Sequence, residues 1–194
     1  MKKAVLLSTF FAGFLCCGLA ATARSTNNKI TYSDTTVGQS ISLNASMNDM
    51  LQQIMSVTGL QMNFELKEAD VMNIEATISH HKRYILYNPA FINRVNAVSH
   101  DKWAVLGLLA HEIGHHLNGH TIKSGGSSPE LELEADEFAG FILRKLGATL
   151  KQSQDLMYMI AKPVASDTHP ERSARLIAIE KGWNKAAPAT ALNS

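Results

Sequence analysis

The stretch His111-Glu112-Ile113-Gly114-His115, with the apolar run Trp103–Ala110 before it, decides the expected fold of this chain. Together they predict one apolar helix that carries polar side chains at its end. Residues four apart share a helix face, so His111 and His115 present two imidazoles one turn apart. Two such imidazoles can bind one Zn²⁺, with Glu112 beside the metal. The H-E-x-x-H motif therefore predicts a zinc site that activates water.

A catalytic zinc usually has three protein ligands and one open position for water, so a third ligand is expected. The acidic stretch Glu130–Gly140 follows the glycine-rich segment Lys123–Pro129, which lets a second helix turn back over the first. Cys16 and Cys17, the two cysteines, lie in the N-terminal segment, so the third ligand is expected to be a histidine or a carboxylate. The acidic candidates in this stretch are Glu130, Glu132, Glu134 and Glu137. Two of them, Glu130 and Glu134, also fit as solvated helix charges.

The order of these blocks resembles the M48 family of zinc metallopeptidases, gluzincins in which H-E-x-x-H is followed by E-x-x-A-D. The chain matches the second block with Glu132, Ala135 and Asp136, and a third block with Thr168-His169-Pro170 and Arg175. The resemblance covers about residues 70–183 and implies a mainly helical, zincin-like catalytic domain. The best-known members are embedded in membranes, whereas this chain has no long apolar stretch after its N-terminal segment. It therefore resembles the soluble, exported members.

The resemblance implies a role for each matching residue. One Zn²⁺ per chain is expected on His111, His115 and Glu132. Glu112 is expected to take a proton from the activated water and pass it to the leaving amine. Asp136, one turn after Glu132, is expected to accept a ring N–H from a zinc-binding histidine. His169 is expected to stabilise an oxyanion or gate the zinc, and Arg175 to hold the local fold or an active-site carboxylate.

Several of these polar residues also have a structural interpretation. Asp136 fits as a salt-bridge partner, and His169 fits as an ordinary residue of a His-Pro helix start. His116 and His120 lie four apart on another helix face, so we expect them to be exposed or to hydrogen-bond behind the ligands, without a second metal. The pair His80-His81 is expected to lie solvated in a turn.

The N-terminal segment has the layout of a secretory signal peptide. Met1-Lys2-Lys3 is basic, Ala4–Ala20 is almost wholly apolar, and Ala21-Thr22-Ala23 is a small-residue cleavage site. The apolar run is short for a membrane span, which needs about 20 residues. We therefore expect residues 1–23 to be removed and the mature protein to be periplasmic or secreted, an uncleaved anchor being the alternative.

The charge of the chain argues against polyanionic partners. The formal net charge is +1, and it includes Lys2 and Lys3 of the predicted signal peptide. No basic run remains in residues 24–194. Nucleic acid and anionic membrane surfaces are therefore not expected as partners, and neither is a membrane span in the mature chain.

Periodicity and turn residues predict an α+β fold, with a small antiparallel hairpin beside a helical bundle. The domain is expected over residues 24–185 and a disordered tail over residues 186–194. Strands are expected at residues 29–32, 61–66, 73–79 and 83–87, with His80-His81-Lys82 as the hairpin connection. Helices are expected from caps at residues 44–46, at 90–95, from a cap at Ser99 or Asp101 to 118, at 130–146, at 150–160 and from about 170.

The sequence therefore favours a zinc metalloendopeptidase that acts on protein or peptide substrates of the cell envelope. One alternative is a zinc-binding chaperone or assembly factor whose zinc is closed or gated by His169. A second is an M78-like regulatory metallopeptidase, which the predicted signal peptide and the His169-Pro170 block oppose. A third is an amidase, which would share the mechanism. The hairpin at residues 73–87 fits either a structural role or substrate binding by β-augmentation.

Overall fold

The computed structural model describes residues 6–7, 35–99, 101–122 and 127–187, with side chains from residue 46 onward. Most of the predicted signal peptide, the predicted strand at residues 29–32, the loop at 123–126 and the tail from 188 lie outside the described residues. Within these ranges, no helix combines the length and the hydropathy that a membrane crossing requires.

The predicted α+β class is confirmed, since helices dominate the described residues and pack beside one small sheet. The helices are α1 (Thr35–Thr58), α2 (Pro89–Ser99), α3 (Trp103–Leu117), α4 (Pro129–Lys145), α5 (Leu150–Ile160) and α6 (Arg172–Lys185). A single 3-10 turn, His120–Ile122, lies between α3 and α4. The strands are β1 (Leu6–Leu7), β2 (Glu65–Glu68), β3 (Ile74–Ser79) and β4 (Lys82–Tyr87).

The predicted hairpin is formed by β3 and β4, which pair antiparallel from Ile74 opposite Tyr87 to Ser79 opposite Lys82. Only two residues connect the strands, because Lys82 is already paired. His80 and His81 both have positive φ, 49° and 65°, which is the backbone of a tight hairpin turn.

The sheet is mixed, because a parallel strand adds to the predicted antiparallel hairpin. The strand order is β1-β3-β4-β2, and β2 runs parallel to β4. The chain from β2 to β3 passes the end of β4, where Asn88 fixes it. The Asn88 N–H donates to Asn73 O at 2.7 Å, and the Asn88 side chain donates to Val71 O at 2.7 Å.

Three predicted boundaries are wrong. α1 begins at Thr35 rather than after residues 44–46, and no proline between these points prevents the earlier start. β2 begins at Glu65 rather than Gln61, since pairing with β4 starts at Glu65. The N-cap of α3 is Lys102, although the Asp101 carboxylate still accepts a hydrogen bond from the Trp103 N–H at 2.9 Å.

Helix α3 forms the centre of the core. Every residue from Ala104 to His116 is buried, and α3 packs against α1, α2, α4, α5 and the sheet. The first half of the helix contributes aliphatic side chains to this core, and the second half contributes the histidines and Glu112. Because α3 is enclosed on all sides, its polar end is held in a fixed position inside the protein.

Helices α4 and α6 lie in very close contact at two glycines. A Cβ on Gly140 would overlap the carbonyl oxygen of Ile179, and a Cβ on Gly182 would overlap the carbonyl oxygen of Glu137. Only glycine lets the two backbones approach this closely. The contact sets the position of α6 relative to the acidic face of α4.

Candidate metal centre

Helices α3 and α4 bring three buried side chains together. His111 and His115 come from α3 and Glu132 from the first turn of α4. Each offers one ligand atom, and these atoms all lie within 4.8 Å of one another. The two Nε2 atoms are 3.0 Å apart, and each is 3.5 Å from a different oxygen of Glu132. This arrangement is a group that could hold a metal ion.

A carboxylate of α4 orients the first histidine. His111 Nδ1 lies 2.9 Å from Asp136 Oδ1, and both residues are buried. A carboxylate accepts hydrogen bonds, so Nδ1 carries the hydrogen and Nε2 faces Glu132. Asp136 therefore makes the contact that the sequence predicted for it.

A second histidine orients the other one. His115 Nδ1 lies 2.9 Å from His120 Nδ1, and His120 Nε2 lies 2.8 Å from Glu134 Oε2. Glu134 accepts the hydrogen of His120 Nε2, so neutral His120 has a lone pair on Nδ1. His115 must then donate from Nδ1, which leaves its Nε2 lone pair facing His111.

The centre attracts one positive charge. Burial opposes charge on His111, but the hydrogen bond to Asp136 and the nearby Glu132 carboxylate raise its pKa to about 9. Burial and the neighbouring His111 lower the pKa of His115 to about 3. Burial alone would raise the pKa of Glu132, yet His111 and His169 lower it. The two Nε2 atoms and the Glu132 carboxylate face one another at 3.0–3.5 Å, so the space between them suits a cation.

Glu132 provides a further test of the fit. Its Oε2 is buried and accepts no hydrogen bond from the described residues, while its Oε1 accepts one from the Ser127 hydroxyl. A buried carboxylate oxygen without a hydrogen bond is costly unless a cation binds it. Two imidazole lone pairs and this oxygen therefore fit a metal ion by donor chemistry as well as by distance.

Glu112 links α3 to the hairpin. It is buried beside His111, and its Oε2 accepts a hydrogen bond from the backbone N–H of Ala76 on β3 at 2.7 Å. Burial is the main reason that its pKa rises to about 8, and Glu75 adds to this effect. The carboxylate thus lies between the histidine pair and the backbone of β3.

His169 and Arg175 reach the centre from the C-terminal part of the chain. His169 Nδ1 lies 3.8 Å from Glu132 Oε2, with its side chain 26% exposed. The Arg175 guanidinium lies 3.7 Å from the same oxygen. All seven residues predicted for the site are therefore brought together by the fold.

Two predictions about neighbouring side chains need correction. His116 and His120 are both buried, at 1% and 0% exposure, so neither is exposed. Only His120 has the predicted alternative position, behind the histidine pair, where it contacts His115. The ring of His116 stacks on Phe64 and lies 2.9 Å from the carbonyl oxygen of Tyr84, so it joins α3 to the sheet. The His120 ring contacts Glu134, which the sequence alone allowed as a solvated helix charge.

Comparisons with protein-family models, curated proteins and solved structures find no match to this chain.

Proposed function

We propose that this protein is a zinc-dependent metalloendopeptidase of the M48-like type, exported through its N-terminal signal sequence. The observation that carries the proposal is the convergence of two imidazole Nε2 atoms and one buried carboxylate oxygen. Two histidines and one glutamate are a common ligand set of catalytic zinc, and three protein ligands leave a position open for water.

The side chains around the centre support hydrolysis. A bound zinc ion supplies Lewis-acid activation of a water molecule and lowers its pKa. The Ala76 N–H holds Glu112 Oε2, which leaves Oε1 to take a proton from the water and deliver it to the leaving amine nitrogen. Asp136 and His120 keep the Nδ1 hydrogens of the two ligand histidines in place.

The edge of β3 supports a peptide as substrate. Leu6–Leu7 pairs antiparallel with β3 at Thr77 and Ala76, so this edge accepts an extended strand. Ala76 is also the residue whose N–H contacts Glu112. A peptide that paired with this edge would lie beside the proposed base. Such β-augmentation binds mainly through the backbone and gives weak sequence specificity.

One observation favours a second candidate, a zinc-binding chaperone or assembly factor of envelope proteins. His169 Nδ1 is already 3.8 Å from the ligand oxygen Glu132 Oε2. A small shift would make it a fourth protein ligand, and four ligands close a zinc site to water. His169 would then gate the centre.

The test is cleavage of casein by the zinc-loaded chain without residues 1–23. Wild type would be compared with Glu112→Gln, His169→Ala and a control, Glu130→Gln, at an exposed position of α4. We expect Glu112→Gln to bind zinc normally and to lose about 10²–10⁴-fold in turnover, while the control keeps wild-type activity. No cleavage by wild type with cleavage by His169→Ala would support the gated alternative, and no cleavage by any variant would refute the peptidase.

A further inference from the structure

A row of hydrogen bonds joins His115 to His120 and His120 to Glu134, and the sequence did not pair these last two residues. We propose that His120 and Glu134 are positioning residues that fix the tautomer of His115 and thereby set the metal affinity of the centre. The proposal rests on the metal site of the proposed function, but it does not depend on peptide hydrolysis.

The hydrogen bonds from His115 through His120 to Glu134 are all donated in the same direction. Only a His115 with its hydrogen on Nδ1 has an Nε2 lone pair for a metal. That hydrogen needs an acceptor, and the only hydrogen-bond partner of His115 Nδ1 among the described residues is His120 Nδ1, at 2.9 Å. His120 can accept there only if its own hydrogen is on Nε2, where Glu134 Oε2 accepts it at 2.8 Å.

The backbone holds His120 in this place. Helix α3 ends at Leu117, and Gly119 turns the chain with a φ of 74°, a conformation that favours glycine. The 3-10 turn that follows brings the His120 ring back under His115, with the ring centroids 5.1 Å apart. His120 is fully buried, so its Nε2–H needs the acceptor that Glu134 provides.

Helix α4 thus provides a carboxylate that orients each of the two histidines, but by different contacts. Asp136 contacts His111 directly, whereas Glu134 acts on His115 through the intervening ring of His120. The Glu134 side chain is 57% exposed, so water screens its charge. Loss of the His120 acceptor should therefore weaken metal binding more than loss of the Glu134 charge.

The experiment measures affinity for Zn²⁺ alone, by competition with a chromogenic chelator, together with the visible spectrum of the Co²⁺-loaded protein. His120→Leu fills space without an acceptor, whereas His120→Asn places an amide oxygen where Nδ1 was. We expect about 10–100-fold weaker zinc binding and a changed Co²⁺ spectrum for His120→Leu, substantial rescue by His120→Asn, and an intermediate loss for Glu134→Gln. The control Glu130→Gln, an exposed carboxylate of the same helix, should bind zinc as wild type does.

Circular dichroism of each metal-free variant checks folding. If His120→Leu fails to fold, the zinc affinities of the two single variants His120→Asn and Glu134→Gln test the positioning role. Unchanged zinc affinity in folded His120→Leu, or equal losses in the leucine and asparagine variants, would overturn the positioning role. Absence of zinc binding in wild type would overturn the metal site as well. Zinc binding without casein cleavage would instead count against the proposed peptidase activity and would not affect the test of His120 and Glu134.

Discussion

Arg175 binds Asp136 through two short hydrogen bonds, from Nε to Oδ2 at 2.6 Å and from Nη2 to Oδ1 at 2.7 Å. The same carboxylate accepts the Nδ1 hydrogen of His111. All three residues are buried, so the guanidinium balances the charge of Asp136 and lies 3.7 Å from Glu132 as well. The charge balance of the centre therefore depends on a residue of α6, far along the chain from the H-E-x-x-H motif.

Breaking this pair should weaken both the fold and the metal site. Asp136→Asn leaves buried Arg175 with only the Glu132 carboxylate, at 3.7 Å, as a counter-ion, and we expect a loss of about 3 kcal/mol in the free energy of unfolding. Zinc affinity should fall about 10–100-fold, because His111 loses its orienting carboxylate. Urea unfolding of the metal-free protein and chelator competition measure the two effects.

The matched variant is Arg175→Met, alone and combined with Asp136→Asn. Each single change removes the partner of the other charged side chain. The double variant should therefore lose less stability than the sum of the two single losses. Strictly additive losses would show that the two side chains do not act as a pair.

The packing around Gly182 and Gly107 predicts opposite effects on stability when each is replaced by alanine. Gly182→Ala places a methyl group against the backbone of Glu137, so we expect a destabilisation of about 1–3 kcal/mol or more. Gly107→Ala in α3 meets nothing closer than Leu143 Cδ1 at 3.5 Å, and we expect a gain of up to about 1 kcal/mol from helix propensity. Thermal unfolding of the two variants measures these effects. Similar melting temperatures would contradict the packing described at Gly182.

Glu75 should make stability depend on pH. It is buried on β3, and burial raises its pKa above the ordinary value of 4.5. The folded state thus holds this proton more tightly than the unfolded chain does. The stability linked to the proton is complete below about pH 4.5 and is lost as the pH rises through the folded-state pKa.

Glu75→Gln should remove this pH-dependent loss of stability. The variant should therefore melt at a higher temperature than wild type at neutral pH, and the two melting temperatures should be closer at acidic pH. Melting curves from pH 4 to pH 8, in the presence of a chelator, measure the effect. The control is Glu68→Gln on the exposed strand β2. A difference between Glu75→Gln and wild type that does not change with pH would exclude a titration of Glu75.

The hairpin turn can be improved. His80 and His81 both occupy the left-handed region, at φ of 49° and 65°, where side chains with a Cβ are strained. Replacing the pair by Asn-Gly suits this turn, and we expect a gain of about 1 kcal/mol and a melting temperature higher by ~2–4 °C. Zinc affinity should not change, so a stabilised variant with weaker zinc binding would show that the turn also supports the centre.

Local chemistry is the part of the fold that could be read from the sequence. Pro129 at the start of α4, Gly147 with a φ of 99° after its end, and the Thr149–Gln152 capping box of α5 act over a few residues. Helical spacing likewise placed His111 and His115 on one face. The predicted ligand Glu132 and its neighbour Asp136 then follow from the arrival of α4 beside α3.

The missed features depend on contacts between distant parts of the chain. The parallel pairing of β2 with β4 requires a crossover that periodicity does not report. Spacing alone did not distinguish whether His120 lies in solvent or under His115, because the 3-10 turn after Gly119 reverses its direction. A histidine and a glutamate fourteen residues apart, His120 and Glu134, gave no local pattern that would have paired them.

Helix α4 carries the candidate ligand Glu132 and, at alternate positions after it, the two supporting carboxylates Glu134 and Asp136. A single residue inserted between Glu132 and Glu134 would turn everything after it by about 100° around the helix axis and displace both carboxylates from their histidines. A substitution such as Asp136→Asn removes one of these contacts, whereas the inserted residue would remove both in one step. We therefore expect a change of length in this stretch to lower zinc affinity more than the exchange of either supporting carboxylate.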